Sequence, residues 1–452
     1  MHDHFQRLPP EIVLPIVKQL PDLDSLKNLL RASPTAYRLF DTYGYEIFER
    51  VLSSGAIHGY TCGLIRVAVL LRLASLPDHA RHLDGFRSLV RHESTSHRYY
   101  NSPAQTVPVW PHPPLRLSPD TPATTLRGIL ATYRKIVCLV ISCLRFYMGR
   151  FKPLRPLHLL DDNFIFESFY KRKKHIDRAA CEQDPPGKLV SVHDIGPPTW
   201  VEEQRLLRAF WRVQLFRDLK AAARAKALNW PDEDLQRLHR MSAAVQLHDV
   251  PRDNLIERSD AGPQIRGRST ILEHQLIWSV EEYADEDRQT IIGPDFLRTR
   301  RDWRNPVQGE EDEQTLENCS STVYDFFYDL REGENGHVYD GYCSPLQHVS
   351  FKPFRRLGFA IWCTKRMREY GLIEYDWGAV SSGRHFFGYN SLYLAWRSVL
   401  GEDDIARVVR DNRRALEWFT QPESDDTDSE NSNLSVPSCC WEESHLGQPN
   451  PV

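Results

Sequence analysis

The sequence predicts a mainly α fold, and three observations carry that prediction. Apolar residues return every three or four positions along most of the chain, prolines and capping residues bound those runs, and alternating strand-like runs are scarce. The organisation read from these signals is an N-terminal three-helix module at 1–54, an irregular helical body at 55–420 and a disordered acidic and polar tail at 421–452.

The module is read from the stretch LPPEIVLPIVKQLPDLDSLKNLLRASPTAYRLF, residues 8–40. Ile12, Ile16 and Leu20 recur every four residues with Val13 and Val17 beside them, so they share one side of a helix that Pro9 and Pro10 start and Pro21 stops. Asp24 or Ser25 is read as the N-cap of a second helix carrying Leu26, Leu29 and Leu30. Pro34 opens a third, with Tyr37 and Phe40 inward. A unit this small buries a modest fraction of its surface. Each aliphatic side chain is worth about 1.5–3 kcal/mol when buried, and three short helices cannot cover them all. Part of the surface is therefore expected to face a partner or the rest of the chain.

Behind the module, apolar helices are predicted at 64–76, ending at Pro77, and at 126–148. The first carries Arg66 and Arg72, and the second has only the run between Lys135 and Arg145 free of charge, about half of what a membrane span needs. Both read as buried helices of a soluble protein. Between them, 93–124 is proline-rich and reads as an exposed loop.

The most legible helix follows Thr199, whose spacing from Glu202 is that of a capping box. Leu206, Phe210 and Val213 mark its apolar face, Arg205, Arg208 and Arg212 form a basic stripe away from it, and Pro231 stops it. Further helices are predicted at 315–331, at 351–370 with Gly371 as the C-terminal cap, at 390–400 and at 402–419. From 421 the composition cannot bury a face, although Ser424, Thr427 and Ser429 stand beside acids that an acidophilic kinase would favour.

Composition narrows the function. With 41% hydrophobic residues the chain can build a large core, and a net charge of −4 argues against a broad nucleic-acid surface. The nine cysteines form no C-x-x-C pair and no disulfide framework, and the N-terminus lacks a signal-peptide pattern, which together predict a cytoplasmic or nuclear protein with reduced thiols. No repeat of fixed period is visible.

No complete catalytic constellation is present, and neither cofactor nor metal is expected. His92 and His97 are five apart, which turns them about 140° from each other on a helix. Gly187-Lys188 lacks the following Ser or Thr of a phosphate loop, and His158 with Asp161 and Asp162, like His193 with Asp194, reads as polar turn chemistry. Lys171, Arg172, Lys173 and Lys174 beside Phe169 and Tyr170 read first as the wet face of a helix and second as a nucleic-acid contact or import signal.

Leu8-Pro9-x-Glu11-Ile12-x-Leu14-x-Ile16 with Leu20, then Leu26, Leu29, Ala32-Ser33 and Tyr37, resembles the F-box of cullin-RING ubiquitin ligases over residues 8–50. Tyr37 stands where many F-boxes have Trp, and Pro34 follows the serine, both as in F-box-like proteins of filamentous fungi. Arg208-Ala209-Phe210-Trp211-Arg212 is similar to a helix of the same proteins. The resemblance implies a non-enzymatic substrate-recognition subunit. Leu8, Pro9, Ile12, Ile16, Leu20 and Tyr37 would bind the Skp-type adaptor that joins it to a cullin scaffold, and the helical body would hold an unnamed target protein. The alternatives are a helical scaffold outside any ligase and a nucleic-acid-binding protein using 171–174.

Overall fold

A computed structural model describes residues 3–90, 116–160, 187–241, 351–373 and 394–406, with 276, 277, 279, 280 and 283. It is mainly helical. The readings at 93–115, 171–174, 315–331 and 421–452, with His92, His97, Asp161 and Asp162, lie outside the described residues.

Contacts divide the chain into two compact units. The first comprises Met1–Phe151, Gly196–Thr322 and Ala360–Cys363, and the second Lys152–Ile195, Val323–Phe359 and Thr364–Val452. The first 54 residues thus share a unit with the helices that follow them. A short 3-10 helix, His4–Arg7, leads into α1 (Pro10–Lys18), α2 (Leu23–Ala32) and α3 (Pro34–Leu52). Asp22, rather than Asp24 or Ser25, caps α2, accepting from Ser25 N at 2.7 Å. The third helix is longer than the stretch to Phe40 suggests, continuing through a kink at Tyr43.

Next come α4 (Gly59–Arg72), α5 (Leu83–Val90) and α6 (Ala123–Phe151). α4 stops before Pro77 because Ala74 takes a left-handed conformation (φ 50°) that lets Ser75 N reach back to Leu70 O at 3.0 Å. α2 and α3 both pack on α6, so the body covers one side of the N-terminal helices.

α7 (Trp200–Arg224) begins with the complete Thr199–Glu202 capping box and runs against α4 and α6. It ends at Arg224, and Pro231 instead stands at the start of α8 (Asp232–Arg240). The stripe of Arg205, Arg208 and Arg212 is buried, contrary to the amphipathic reading, because α7 is enclosed on its polar side as well. Arg205 donates to the Ile361 and Trp362 carbonyls at 3.0 and 2.6 Å, and Arg212 to the Tyr60 hydroxyl at 2.6 Å.

In the second unit, β1 (Leu157–Leu159) pairs antiparallel with β2 (Gly187–Leu189), Leu157 opposite Leu189 and Leu159 opposite Gly187. A Cβ at Gly187 would lie 2.9 Å from Leu157 Cβ and 3.1 Å from Leu394, so glycine is required there. The helix read at 351–370 is two helices, α9 (Lys352–Arg355) and α10 (Thr364–Glu369), split where Gly358 turns left-handed (φ 81°). Gly371 (φ 64°) ends α10 as expected, with Leu372 N bonded to Met367 O. Phe354 and Phe359 pack on Trp396, whose indole N–H donates to Leu372 O at 2.7 Å. Short helical stretches at 394–398 and 402–406 fall within the runs read at 390–400 and 402–419.

Candidate partner-binding surface

The surface is set up by the first residues of the chain. The Asp3 carboxylate accepts from Phe5 N, starting the 3-10 helix, and from Ser33 Oγ and Thr35 N at the head of α3. It thereby fastens the segment before Leu8 to the third helix. Partial desolvation pushes this carboxyl up, but the hydrogen bonds from Thr35, Ser33 and Phe5 outweigh it and hold the group at about 2.

Pro9 and Pro10 start α1 without needing the N–H groups that a first turn leaves unbonded, and Glu11 sits in that turn. Pro15 lies within the helix and removes the bond to the Glu11 carbonyl, a loss tolerated where both residues face water. The apolar residues of α1 then divide. Val13 and Val17 are wholly buried against the neighbouring helices, whereas Ile12 and Ile16 are 52% and 43% exposed. The two pairs have the same i, i+4 spacing and lie on adjacent faces.

Leu8 is 40% exposed, Pro9 is exposed, and Leu20 is half-buried. Tyr37, expected inward, is 39% exposed, while Phe40 is fully buried. The helix period explains the difference, since Ala36 and Phe40 share the inner face and Tyr37 stands one position off it. Its ring is partly covered by Arg127 of α6, 4.7 Å from the centroid, and Arg127 is in turn paired with Asp41 of α3. Of the seven large apolar side chains exposed among the described residues, five (Leu8, Ile12, Ile16, Tyr37 and Tyr43) fall within the first 43 residues.

Sequence reading missed Arg127, Asp41 and Asp3. Asp3 and Arg127 act on residues far along the chain, and no local pattern marks them. Asp22 was findable, because an Asp three residues before Ser25 has the spacing of an N-cap.

Gly187-Lys188 lies in β2 and not in a phosphate loop. His158 Nε2 lies 2.9 Å from the Gly371 carbonyl, Asp194 pairs with Lys152 at 3.0 Å, and His193 stands 3.9 Å from Glu369. Burial pushes the Cys62 thiol up to about 12, with Glu49 adding to the rise and Arg66 opposing it, and burial alone raises Cys143. Both stay protonated at neutral pH and are poor nucleophiles. Among the described residues there is no metal-holding group of His, Cys, Asp or Glu, and no helix is long and apolar enough to cross a membrane.

No family model, curated protein or solved structure matches the chain.

Proposed function

We propose that this chain is an F-box-type substrate-recognition subunit of a cullin-RING ubiquitin ligase, acting in the cytoplasm or nucleus. Leu8, Pro9, Ile12, Ile16, Leu20 and Tyr37 receive the Skp-type adaptor, and the helical body holds a target protein. The contribution is proximity, with no bond made or broken by this chain itself.

One observation carries this reading. α2 and α3 are already docked on α6, yet Leu8, Ile12, Ile16 and Tyr37 still face solvent. Had the apolar residues of α1 served only to attach the module to its own protein, docking would have covered them. Apolar side chains concentrated in this way on one short segment mark a protein interface. A stable contact would bury about 1,200–2,000 Å² in total, with a few central side chains dominating the affinity.

The test is co-purification of the full chain with the Skp-type adaptor and a cullin, comparing wild type with Leu8→Asp/Ile12→Asp. Wild type is expected to capture both. The double variant should capture neither, because a carboxylate in a desolvated interface is strongly disfavoured, and its melting temperature should be unchanged. If wild type captures neither, the ligase reading is withdrawn.

A further inference from the structure

On α2, Lys27 and Asn28 stand three and four residues after Asp24, and Arg31 stands four and three after them, so a single stripe carries all four. Arg134 of α6 meets this stripe, donating to the Asn28 side-chain oxygen and standing 3.6 Å from Asp24 Oδ1. Asn28 also donates to Asp24 at 3.3 Å. Lys27 and Arg134 thus have one carboxylate between them, whose Oδ2 accepts from Asn28 while its Oδ1 makes no hydrogen bond, and Arg31 adds a third cation to the same stripe. Lys27 and Arg31 make no hydrogen bond or ion pair among the described residues. Desolvation, then the charges of Arg134 and Arg31, lower the Lys27 ammonium below the usual lysine range, and Asp24 and Cys138 only partly offset them. Like charge in excess of its counter-charge burdens the free protein and favours an anion that neutralises it.

We propose that Lys27, Arg31 and Arg134 form a receptor for paired anionic side chains, carboxylate or phosphomonoester, on an extended segment of a partner protein. Spacing favours a peptide over a free ion. Lys27 and Arg31 are one helical turn apart, about 5–6 Å, and alternate side chains of an extended chain repeat at about 6.6 Å. An acid-x-acid sequence therefore sets one anion against each cation, while the planar fork of Arg134 closes on an oxygen from the α6 side. The stripe shares no residue with the adaptor surface, so this inference does not rest on the ligase reading.

The test uses the full chain and fluorescein-labelled peptides in which glycine alternates with glutamate, phosphoserine or glutamine, followed by fluorescence anisotropy at low and high salt. The glutamate or phosphoserine peptide is expected to bind, more weakly as salt rises, and the glutamine peptide not to bind. Which of the two anionic peptides binds tighter identifies the preferred anion. Lys27→Glu/Arg31→Glu should lower the affinity at least about tenfold while melting no lower than wild type, since reversal removes no hydrogen bond. Lys27→Gln/Arg31→Gln gives the same reading without added charge. The proposal is overturned if neither anionic peptide binds, or if both double variants bind as wild type does. It is equally overturned if inorganic phosphate competes at the same concentration as the peptide, or if a single-stranded oligonucleotide binds more tightly.

Discussion

The Arg66 guanidinium lies side-on against the Glu49 carboxylate, with Nε 3.0 Å from Oε1 and Nη2 2.7 Å from Oε2. Glu49 belongs to α3 and Arg66 to α4, and Glu49 Oε1 also accepts from Leu117 N at 2.9 Å. One carboxylate therefore joins the third helix, the fourth, and the segment entering α6. Both side chains are nearly buried, 8% and 11% exposed.

Removing one member of such a pair strands the other charge. Arg66→Met should cost about 3 kcal/mol, read from urea denaturation of the full chain. Glu49→Leu/Arg66→Met should recover most of that loss, because two apolar side chains leave no charge uncompensated. A double variant no more stable than Arg66→Met would show that losing the bond from Leu117 N to Glu49 costs as much as the stranded charge does.

The division of α1 yields a second prediction. Val17→Ala removes two buried carbons and leaves a small cavity, which should cost about 2 kcal/mol. Ile16→Ala, one position away but facing solvent, should stay within about 0.5 kcal/mol of wild type. Thermal melts of the two variants compare the inner and outer faces directly. Equal losses would mean that Ile16 is covered in solution.

These two positions also show how far the sequence could be read. The existence of α1 and its proline start are local, and the fourfold spacing declared them. Which of two adjacent apolar faces turns inward depends on α2 and α3, and residues 12, 13, 16, 17 and 20 span too wide an arc for periodicity to choose. The Thr199–Glu202 box was legible for the same local reason. Arg205, Arg208 and Arg212 were misread because a charged stripe is ordinarily wet. What buries Arg205 is a pair of carbonyls more than 150 residues along the chain, and no pattern within a helix can announce that. The surface residues follow from the resemblance, whereas Arg127, lying over Tyr37, comes from a different helix altogether.

Asp3 predicts a pH dependence. Its carboxyl falls from 3.8 to about 2 in the fold, so the folded state favours the ionised form. The resulting stability is fully present above about pH 3.8 and is lost as the pH falls through about 2. Asp3→Asn should therefore melt below wild type at pH 5, with the gap closing as pH approaches 2. A gap that is constant over this window would mean that the carboxylate charge contributes nothing to holding the 3-10 helix on α3.

The start of α7 offers the last and most graded test. Thr199 Oγ1 accepts from Glu202 N at 3.4 Å, and Glu202 Oε2 accepts from Thr199 N at 2.8 Å, which completes the box. The same carboxylate uses Oε1 to accept from Cys363 N at 3.0 Å, and Glu202 is fully buried. Its two oxygens therefore satisfy two backbone donors, one within the cap and one 161 residues away. Thr199→Ala removes only the hydroxyl's part of the cap and should cost about 1 kcal/mol. Glu202→Ala leaves both N–H groups without their acceptor in a buried setting, and at roughly 1–3 kcal/mol for each stranded donor it should cost about 3 kcal/mol. Glu202→Gln keeps the shape and one oxygen, so it should fall between the two. Urea denaturation should rank the losses in that order. If Glu202→Ala costs no more than Thr199→Ala, the bond to Cys363 adds nothing to stability, and Glu202 is an ordinary capping residue that happens to be buried.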